Sequence, residues 1–300
     1  MRSYGESCYC RSPVEAEGHN PMNRDISIGI IGGTGSMGKW FSDFFSQNGH
    51  RVLVSGRKTE ITASDIVKNC DVIILSVPLD AAVEIAENIG PRLGRDQLLM
   101  DFCSLKETIV KKMLDNTQAD VIGAHPLFGP YTESIKGQNV ILCPGRGETS
   151  LKWLEKELTG RGAVVTVIDP VEHDRQMAVV QGLTHFLAIC MGSTLKKLNL
   201  DAAKAFSFAT PVFRINHNLI GRLFAQDLDL YRSIINKNKY FDEVLDVFLS
   251  EVREGQSSIL SGNDHKGLLY LENIREFFIE SSRNSLEESN KLINALYGEE

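Results

Sequence analysis

The sequence of 300 residues predicts an α/β protein with a Rossmann-like, doubly wound, mostly parallel sheet followed by an all-α domain. Three observations support this fold class. Apolar runs of strand length alternate with helical stretches as far as residue 167, and a glycine-rich turn joins the first run to the first helix. From residue 170 onwards the alternation stops, and helical periodicity continues to the end of the chain.

The seven predicted strands are short and rich in Ile, Val and Leu, which is typical of strands buried in a parallel sheet. They cover residues 26–31, 51–55, 71–77, 97–102, 120–124, 139–142 and 163–167. A helix with Trp40, Phe41, Phe44 and Phe45 on one side follows the first strand, and further helical stretches lie near 80–89, 105–115 and 149–160. Helices between the strands allow the parallel crossovers of a doubly wound sheet.

The turn after the first strand contains Gly33, Gly35 and Gly38, which are spaced as in a dinucleotide-binding loop. Such glycines let the chain turn tightly and approach a pyrophosphate, while the start of the helix offers unpaired N–H donors. A purely structural glycine turn is the alternative. We expect a dinucleotide to contact the residues of this turn, which are Gly33, Thr34, Gly35, Ser36, Met37 and Gly38.

The second strand ends in Ser55-Gly56-Arg57-Lys58, where an acid normally holds the ribose hydroxyls of NAD. A guanidinium beside a hydroxyl suits a 2′-phosphate through charge-assisted hydrogen bonds. Ser55 and Arg57 therefore favour NADP over NAD as the cofactor. Two alternatives stay open: the loop is simply solvated, or Arg57 stacks on adenine and serves either cofactor.

His125 follows the apolar run at 120–124, and the sequence 126–130 after it forces the chain to turn. Ligands of open α/β sheets bind at the carboxyl ends of the strands, so His125 is a candidate catalytic residue beside a bound nicotinamide. The alternative is a buried histidine that hydrogen-bonds to the main chain. Ser104 follows another strand at the same edge and is a second candidate, although Ser104 and Glu107 also form a capping-box pattern.

A helix predicted at 171–198 opens with Asp169 as N-cap and Pro170 in the first turn. Its remaining surface is apolar nearly all round, so we expect it to be buried, both in its own domain and against a second copy of the chain. Gln181 and His185 lie one turn apart on it and need polar partners if they are buried. They are candidate substrate contacts, with a hydrogen-bonded core histidine as the alternative.

The composition narrows the class of protein. A formal charge of -7 and the lack of a basic tract argue against a nucleic-acid partner, and no uninterrupted apolar stretch of about twenty residues predicts a membrane span. Scattered cysteines suit a reducing, cytoplasmic location. No metal site is expected, because Cys8 and Cys10 have only His19 nearby. We expect a disordered tail at 1–22, a dinucleotide-binding domain at 23–169 and a helical domain at 170–300.

Five motifs occur in order along both predicted domains. They are the glycine turn at 33–38, Asp101 to Lys106, His125 to Pro130, the stretch from His173 to His185, and the stretch from Pro211 to Tyr231. Together they resemble the prephenate dehydrogenases of tyrosine biosynthesis from about residue 25 to 245. The resemblance is nearest to the dehydrogenase part of bifunctional enterobacterial enzymes, and the short N-terminal tail leads us to expect no chorismate mutase segment.

The resemblance implies roles for individual residues. His125 matches the catalytic histidine, which accepts the C4 hydroxyl proton of prephenate while hydride passes to the nicotinamide and carbon dioxide leaves. Ser104 matches a serine that orients this histidine and the hydroxyl. Arg222 matches an arginine that binds a substrate carboxylate, while His185 and Gln181 fall where the helical domain lines the pocket. The family also implies a homodimer formed by the helical domain.

Two departures limit what the resemblance implies. In relatives a carboxylate often follows the Gly129 region, but here Tyr131 and Thr132 intervene before Glu133, so a gating acid is not implied. Ser55-Gly56-Arg57 replaces an acid after the second strand. The sequence does not distinguish prephenate from arogenate as the substrate, and it does not decide whether tyrosine acts as a feedback inhibitor. Two other function classes stay open: a deazaflavin-dependent NADP reductase, which gives His125 and Arg222 no task, and a non-enzymatic NADP sensor.

Overall fold

A computed structural model describes residues 26–298, with only the backbone at residues 202–203. The predicted tail at 1–22, including Cys8 and Cys10, lies outside the described residues.

The apolar runs form seven strands of one sheet. The strands are β1 (Ser27–Ile31), β2 (Arg51–Ser55), β3 (Val72–Leu75), β4 (Leu98–Asp101), β5 (Asp120–Pro126), β6 (Asn139–Arg146) and β7 (Val164–Val167). Their order is β2-β1-β3-β4-β5-β6-β7. All neighbours are parallel except β5 and β6, which are antiparallel. The predicted mostly parallel, doubly wound sheet is confirmed.

Five helices connect the strands: α1 (Ser36–Gln47), α2 (Ala63–Asn69), α3 (Leu79–Ile89), α4 (Glu107–Asn116) and α5 (Glu148–Thr159). Both faces of the sheet are covered, as a buried parallel sheet requires. Phe41 and Phe45 of α1 pack on one face with Trp153 of α5. Ile66 of α2 and Ile109 of α4 pack on the other.

The strand β5 is longer than the sequence predicted, because it pairs with β6 as an antiparallel ladder. His125 lies opposite Ile141, and Pro126 lies opposite Val140. His125 therefore lies within the hydrogen-bonded strand, one residue before its end, rather than in the loop after it. This placement gives its side chain a rigid backbone.

The rest of the described chain is helical. It contains α6 (Pro170–Met177), a π-helical turn (Ala178–Leu183), α7 (Thr184–Lys197), α8 (Ala202–Ala205), α9 (Pro211–Phe224), α10 (Leu228–Asn236), α11 (Phe241–Ile259), α12 (Asp264–Phe278) and α13 (Ser282–Ala295). The predicted start is confirmed, because the Asp169 carboxylate accepts the N–H groups of Val171 and Glu172 at 2.8 and 3.3 Å. The single helix predicted at 171–198 is divided by the π-helical turn, a feature that often marks a functional site.

The helices α7, α12 and α13 have no buried residue within one chain. The second half of the helix predicted at 171–198 is therefore not buried within one chain, and Leu187 there is 42% exposed. The run Pro170–Lys197 has 28 residues and a mean hydropathy of 1.4 over its most apolar window, so it is long and apolar enough to cross a membrane. An exposed apolar surface of this extent is typical of a site that contacts another protein chain or a membrane.

Candidate active site

His125 is buried at the carboxyl edge of the sheet, with 3% of its surface exposed. Its two ring nitrogens have different neighbours. Nδ1 lies 2.9 Å from Nε2 of His173 on α6, and Nε2 lies 3.3 Å from the side-chain nitrogen of Gln181 in the π-helical turn. The structure thus brings two residues predicted separately, His125 and Gln181, into contact.

Burial holds the pKa of His125 well below its ordinary value, and the neighbouring His173 and Lys106 lower it further. The cause is physical: a cation in an apolar pocket is poorly solvated, and protonating His125 would place its charge beside Lys106 and beside any charge that His173 carries. An imidazole in this environment stays neutral near neutral pH. A neutral imidazole is the form that can accept a proton.

A fully buried ion pair lies next to His125. The Lys106 ammonium contacts the Asp101 carboxylate, and neither side chain is exposed. Burial raises the pKa of Asp101, while Lys106 and a hydrogen bond from the Cys103 main-chain N–H oppose that rise. Gly123 on β5 makes room for the pair, because a Cβ at that position would lie 2.8 Å from Cδ of Lys106.

Ser104 does not cap α4, so the capping-box alternative for Ser104 and Glu107 is wrong. The cap comes from the helical domain, where the Asp174 carboxylate accepts the N–H groups of Lys106 at 2.7 Å and Glu107 at 3.0 Å. A negatively charged side chain at this position satisfies N–H groups that the helix leaves unpaired. Ser104 is left to line a cleft between the two domains.

The cleft runs along the edge of the sheet where a dinucleotide is expected. Its walls include Ser36 and Met37 from the glycine turn, Ser76 after β3 and Ser104 after β4. Residues of α10 and of the segments on either side of it form the opposite wall, among them Asp227, Asp229 and Lys237.

The glycine turn fits a dinucleotide. A Cβ at Gly38 would lie 2.5 Å from the carbonyl oxygen of Gly32, so a side chain there would force the loop and the helix apart. No side chain caps the start of α1 at Gly35. The first turn of α1 therefore presents main-chain N–H groups to the cleft edge, the arrangement that binds pyrophosphate in Rossmann folds.

The end of β2 lies against the same turn. The carbonyl oxygen of Ser55 accepts the N–H of Gly32 at 2.8 Å, and a Cβ at Gly56 would collide with Thr34. Arg57 follows in an exposed turn. Among the described residues, the Arg57 guanidinium makes no ion pair, so its charge faces solvent beside the glycine turn.

Arg222 lies on α9, and its guanidinium reaches the loop that follows His125. The guanidinium carbon is 5.9 Å from the ring centre of Tyr131, and Nη2 is 3.9 Å from the position that a Cβ on Gly129 would occupy. His185 packs edge-on against Tyr231, with ring centres 4.8 Å apart, and burial lowers its pKa. Burial raises the pKa of Tyr231, and the positive charge of Arg222 opposes that rise.

Several contacts at the site escape sequence reasoning because they join distant segments. The residues after α10 fasten the helical domain to the sheet domain: Lys237 pairs with Asp80 at 2.5 Å, and Lys239 pairs with Glu107 at 2.6 Å. The Tyr240 hydroxyl donates to the same Glu107 carboxylate at 3.0 Å. Asn238 donates to the main-chain oxygen of Asp174 at 2.7 Å. No local pattern signals these partners.

Comparison with known proteins identifies the family. Residues 47–167 match the family model described as the nucleotide-binding domain of prephenate dehydrogenase, and residues 169–272 match its dimerization domain. The T-protein of Haemophilus influenzae is 32% identical, over 92% of this chain and 74% of that protein. The chain belongs to the prephenate/arogenate dehydrogenase family.

Another relative and two solved structures are also similar to the chain. A probable arogenate/prephenate dehydrogenase of Methanocaldococcus jannaschii is 35% identical to the chain, which spans 66% of that protein's length. The prephenate dehydrogenase of Aquifex aeolicus, solved with hydroxyphenyl propionate and NAD+, has the same fold, with a TM-score of 0.71 and 22% identity over 85% of this chain and 98% of that one. Arogenate dehydrogenase of Synechocystis has a TM-score of 0.66 at 16% identity, over 85% and 99% of the two chains.

Membership of this family confirms two predictions made from the sequence. The predicted resemblance to prephenate dehydrogenases is confirmed, and the helical part is a dimerisation domain. Prephenate/arogenate dehydrogenases are NAD(P)-dependent oxidoreductases, so the sequence prediction of a dinucleotide-binding oxidoreductase is confirmed at that level. The relatives include enzymes named for either substrate, and they do not distinguish between prephenate and arogenate for this chain.

Proposed function

We propose that the chain is a prephenate dehydrogenase that forms 4-hydroxyphenylpyruvate by oxidative decarboxylation in tyrosine biosynthesis. The observation that carries the proposal is a buried histidine with a lowered pKa at the carboxyl edge of the sheet, facing a helical domain that supplies Arg222. A nicotinamide bound at the glycine turn would supply the hydride acceptor for C4 of the substrate. The ring carboxylate then leaves as carbon dioxide, and the ring becomes aromatic.

His125 is the proposed general base. Its Nδ1 is occupied by His173, so Nε2 is the nitrogen left to accept the proton of the C4 hydroxyl. Gln181 lies beside Nε2 at 3.3 Å, and its side-chain oxygen is buried without a partner among the described residues. We assign Gln181 to hold the ring and the substrate hydroxyl in register. Ser104, on the cleft wall, orients the same hydroxyl.

Arg222 is the proposed carboxylate anchor. A guanidinium binds a carboxylate through two parallel hydrogen bonds, and no carboxylate of the described residues pairs with Arg222. His185 completes the pocket on the side of Tyr231. Among the described residues, no acid forms a hydrogen bond or ion pair with the side chains of Arg222, His185 or Gln181, so these residues bring no counter-charge for the ammonium group of arogenate. This favours prephenate as the substrate.

NADP is the proposed cofactor, with NAD as the alternative. The support is the exposed Arg57 beside the glycine turn, together with Ser55 in place of an acid. The proposed contacts of the cofactor are those predicted from the sequence, at 33–38, Ser55 and Arg57. The cytoplasmic location and the domain boundaries at 22/23 and 169/170 belong to the proposal as well.

A homodimer is the proposed assembly. Within one chain, large apolar side chains of the dimerisation domain stay exposed, including Leu187 on α7 and Leu271 and Phe277 on α12. A second copy would cover them. Mass in solution at micromolar concentration tests this, and a monomer would contradict it.

The reaction is tested by absorbance at 340 nm with purified protein. Prephenate and arogenate are each supplied with NAD and with NADP in four separate reactions. We expect the cofactor to be reduced when prephenate is supplied, and to be reduced faster with NADP than with NAD. Faster turnover of arogenate would overturn the substrate assignment. A protein that binds dinucleotide but reduces it with neither substrate would favour an NADP sensor or a reductase of another class.

A further inference from the structure

His173 and Asp174 are adjacent residues at the start of the helical domain, and together they connect His125 to the start of α4. Nε2 of His173 lies 2.9 Å from Nδ1 of His125, and Nδ1 of His173 lies 2.7 Å from Oδ1 of Asp174. All three side chains are nearly excluded from solvent, with 3%, 0% and 6% of the residue surface exposed. Water therefore does not compete for these hydrogen bonds.

The Asp174 carboxylate determines the direction of the chain of hydrogen bonds. It already accepts the main-chain N–H groups of Lys106 and Glu107 at 2.7 and 3.0 Å. An ionised carboxylate only accepts, so Nδ1 of His173 must carry the proton that it donates to Asp174. In a neutral His173, Nε2 is then an acceptor. Nδ1 of His125 must donate to it, and the lone pair of His125 is left on Nε2.

The position of Asp174 is fixed from both sides. Its carboxylate is tied to the start of α4 in the sheet domain. Its main-chain oxygen accepts a hydrogen bond from Asn238, which is 3% exposed and also accepts the N–H of Tyr240 at 3.0 Å. A carboxylate held in this way has one orientation toward His173.

We propose that Asp174 is a positioning residue which, through His173, fixes the tautomer of His125 that keeps the lone pair on Nε2, the nitrogen beside Gln181, where it acts as the base. Asp174 does not contact the substrate. Because the same carboxylate caps α4, the base is correctly protonated only when the helical domain is docked on the sheet domain. The kinetic part of this inference rests on the proposed function, whereas the tautomer itself does not.

The tautomer is measured directly by ¹⁵N NMR of the histidine side chains in the full-length protein without substrate. His125→Asn assigns the signal. We expect His125 of the wild type to be protonated at Nδ1 and unprotonated at Nε2. In Asp174→Asn the amide presents both a donor and an acceptor, so His125 should lose this single state and populate the other tautomer.

Kinetics provides the second readout. Asp174→Asn should lower kcat with prephenate by about tenfold to a thousandfold, as expected for a base with a misplaced proton, and change KM by less than about threefold. Asp169→Asn is the matched control, because Asp169 caps the start of the same helix but lies outside the chain of hydrogen bonds. We expect it to leave kcat, KM and the NMR signals unchanged.

His173→Leu provides an independent test if Asp174→Asn folds poorly. It interrupts the chain but leaves the Asp174 cap of α4 in place, and we expect the same loss of the single tautomer. The inference would be overturned by a wild-type His125 that carries its proton on Nε2, or by both variants keeping the wild-type tautomer. A wild type with the expected tautomer that does not oxidise prephenate would refute the proposed function and leave the inference standing.

Discussion

The guanidinium of Arg222 lies 5.9 Å from the ring centre of Tyr131, so a side chain of the helical domain reaches the loop that follows His125. Tyr131 itself is 71% exposed. An aromatic ring attracts the guanidinium without neutralising it. Arg222 therefore keeps its positive charge beside the loop that follows the proposed base, which suits capture of an anionic substrate.

Replacing Arg222 with alanine should chiefly weaken substrate capture. Loss of a charged hydrogen bond costs about 1.5–3 kcal/mol, so we expect KM for prephenate to rise by about 10- to 150-fold with a smaller change in kcat. Steady-state kinetics measures both. Arg232→Ala is the control, since Arg232 is exposed and pairs with Asp229, and its KM should stay at the wild-type value. A fall in kcat alone for Arg222→Ala would contradict the role.

Arg57→Ala tests the cofactor assignment. If Arg57 binds the 2′-phosphate, the Kd for NADP should rise by about tenfold or more, while the Kd for NAD changes little. Fluorescence titration measures both constants. Arg51→Ala, at the other end of β2, removes an exposed arginine far along the strand and should leave both constants unchanged. Equal losses for the two cofactors in Arg57→Ala would mean that the loop does not recognise the phosphate.

The pH profile tests the environment of the base. Burial, His173 and Lys106 hold the pKa of His125 well below its ordinary value, so the neutral form persists as the pH falls past about 6.5. We expect kcat/KM for prephenate to stay level from about pH 8 down through 6.5 and to decline only at lower pH. An acid limb centred at or above about 6.5 would show that His125 is not the titrating base or is not buried as described.

Gly123→Ala tests the packing of the buried ion pair. The new methyl would lie 2.6 Å from Val110 and 2.8 Å from Lys106, so we expect a loss of about 1–3 kcal/mol in the free energy of unfolding. Urea unfolding measures it. Gly221→Ala in α9 is the control, because nothing lies within 4 Å of its Cβ position and a helical alanine is at least as stable. An unchanged unfolding free energy for Gly123→Ala would mean that the pair moves aside freely.

The sheet and its glycine turn were predictable from the sequence because both depend on local patterns. Apolar runs of strand length and closely spaced glycines act over a few residues. The short helix α2 lies outside the helices that the sequence predicted, because it has only seven residues and its main signal is the Thr62–Asp65 capping box. The antiparallel extension of β6 was missed, since it depends on pairing with β5.

The candidate site was only partly predictable. His125, Gln181 and Arg222 were named from strand ends and family motifs, and the structure places Gln181 against His125. The link from His125 to His173 joins residues 48 apart in sequence, and the link from Lys106 to Asp174 joins residues 68 apart. The Ser104 pattern suggested a local cap, but a carboxylate from the other domain provides it. Tertiary partners of this kind leave no local signal.

The measurement that tests the central claim most directly compares His125→Asn with the wild type for prephenate turnover and dinucleotide binding. Loss of the general base should reduce kcat by about a hundredfold or more, while the Kd for NADP stays within about twofold of the wild type. Turnover that stays near the wild-type rate, in a variant that binds the cofactor normally, would remove His125 from the chemistry and contradict the account of the site.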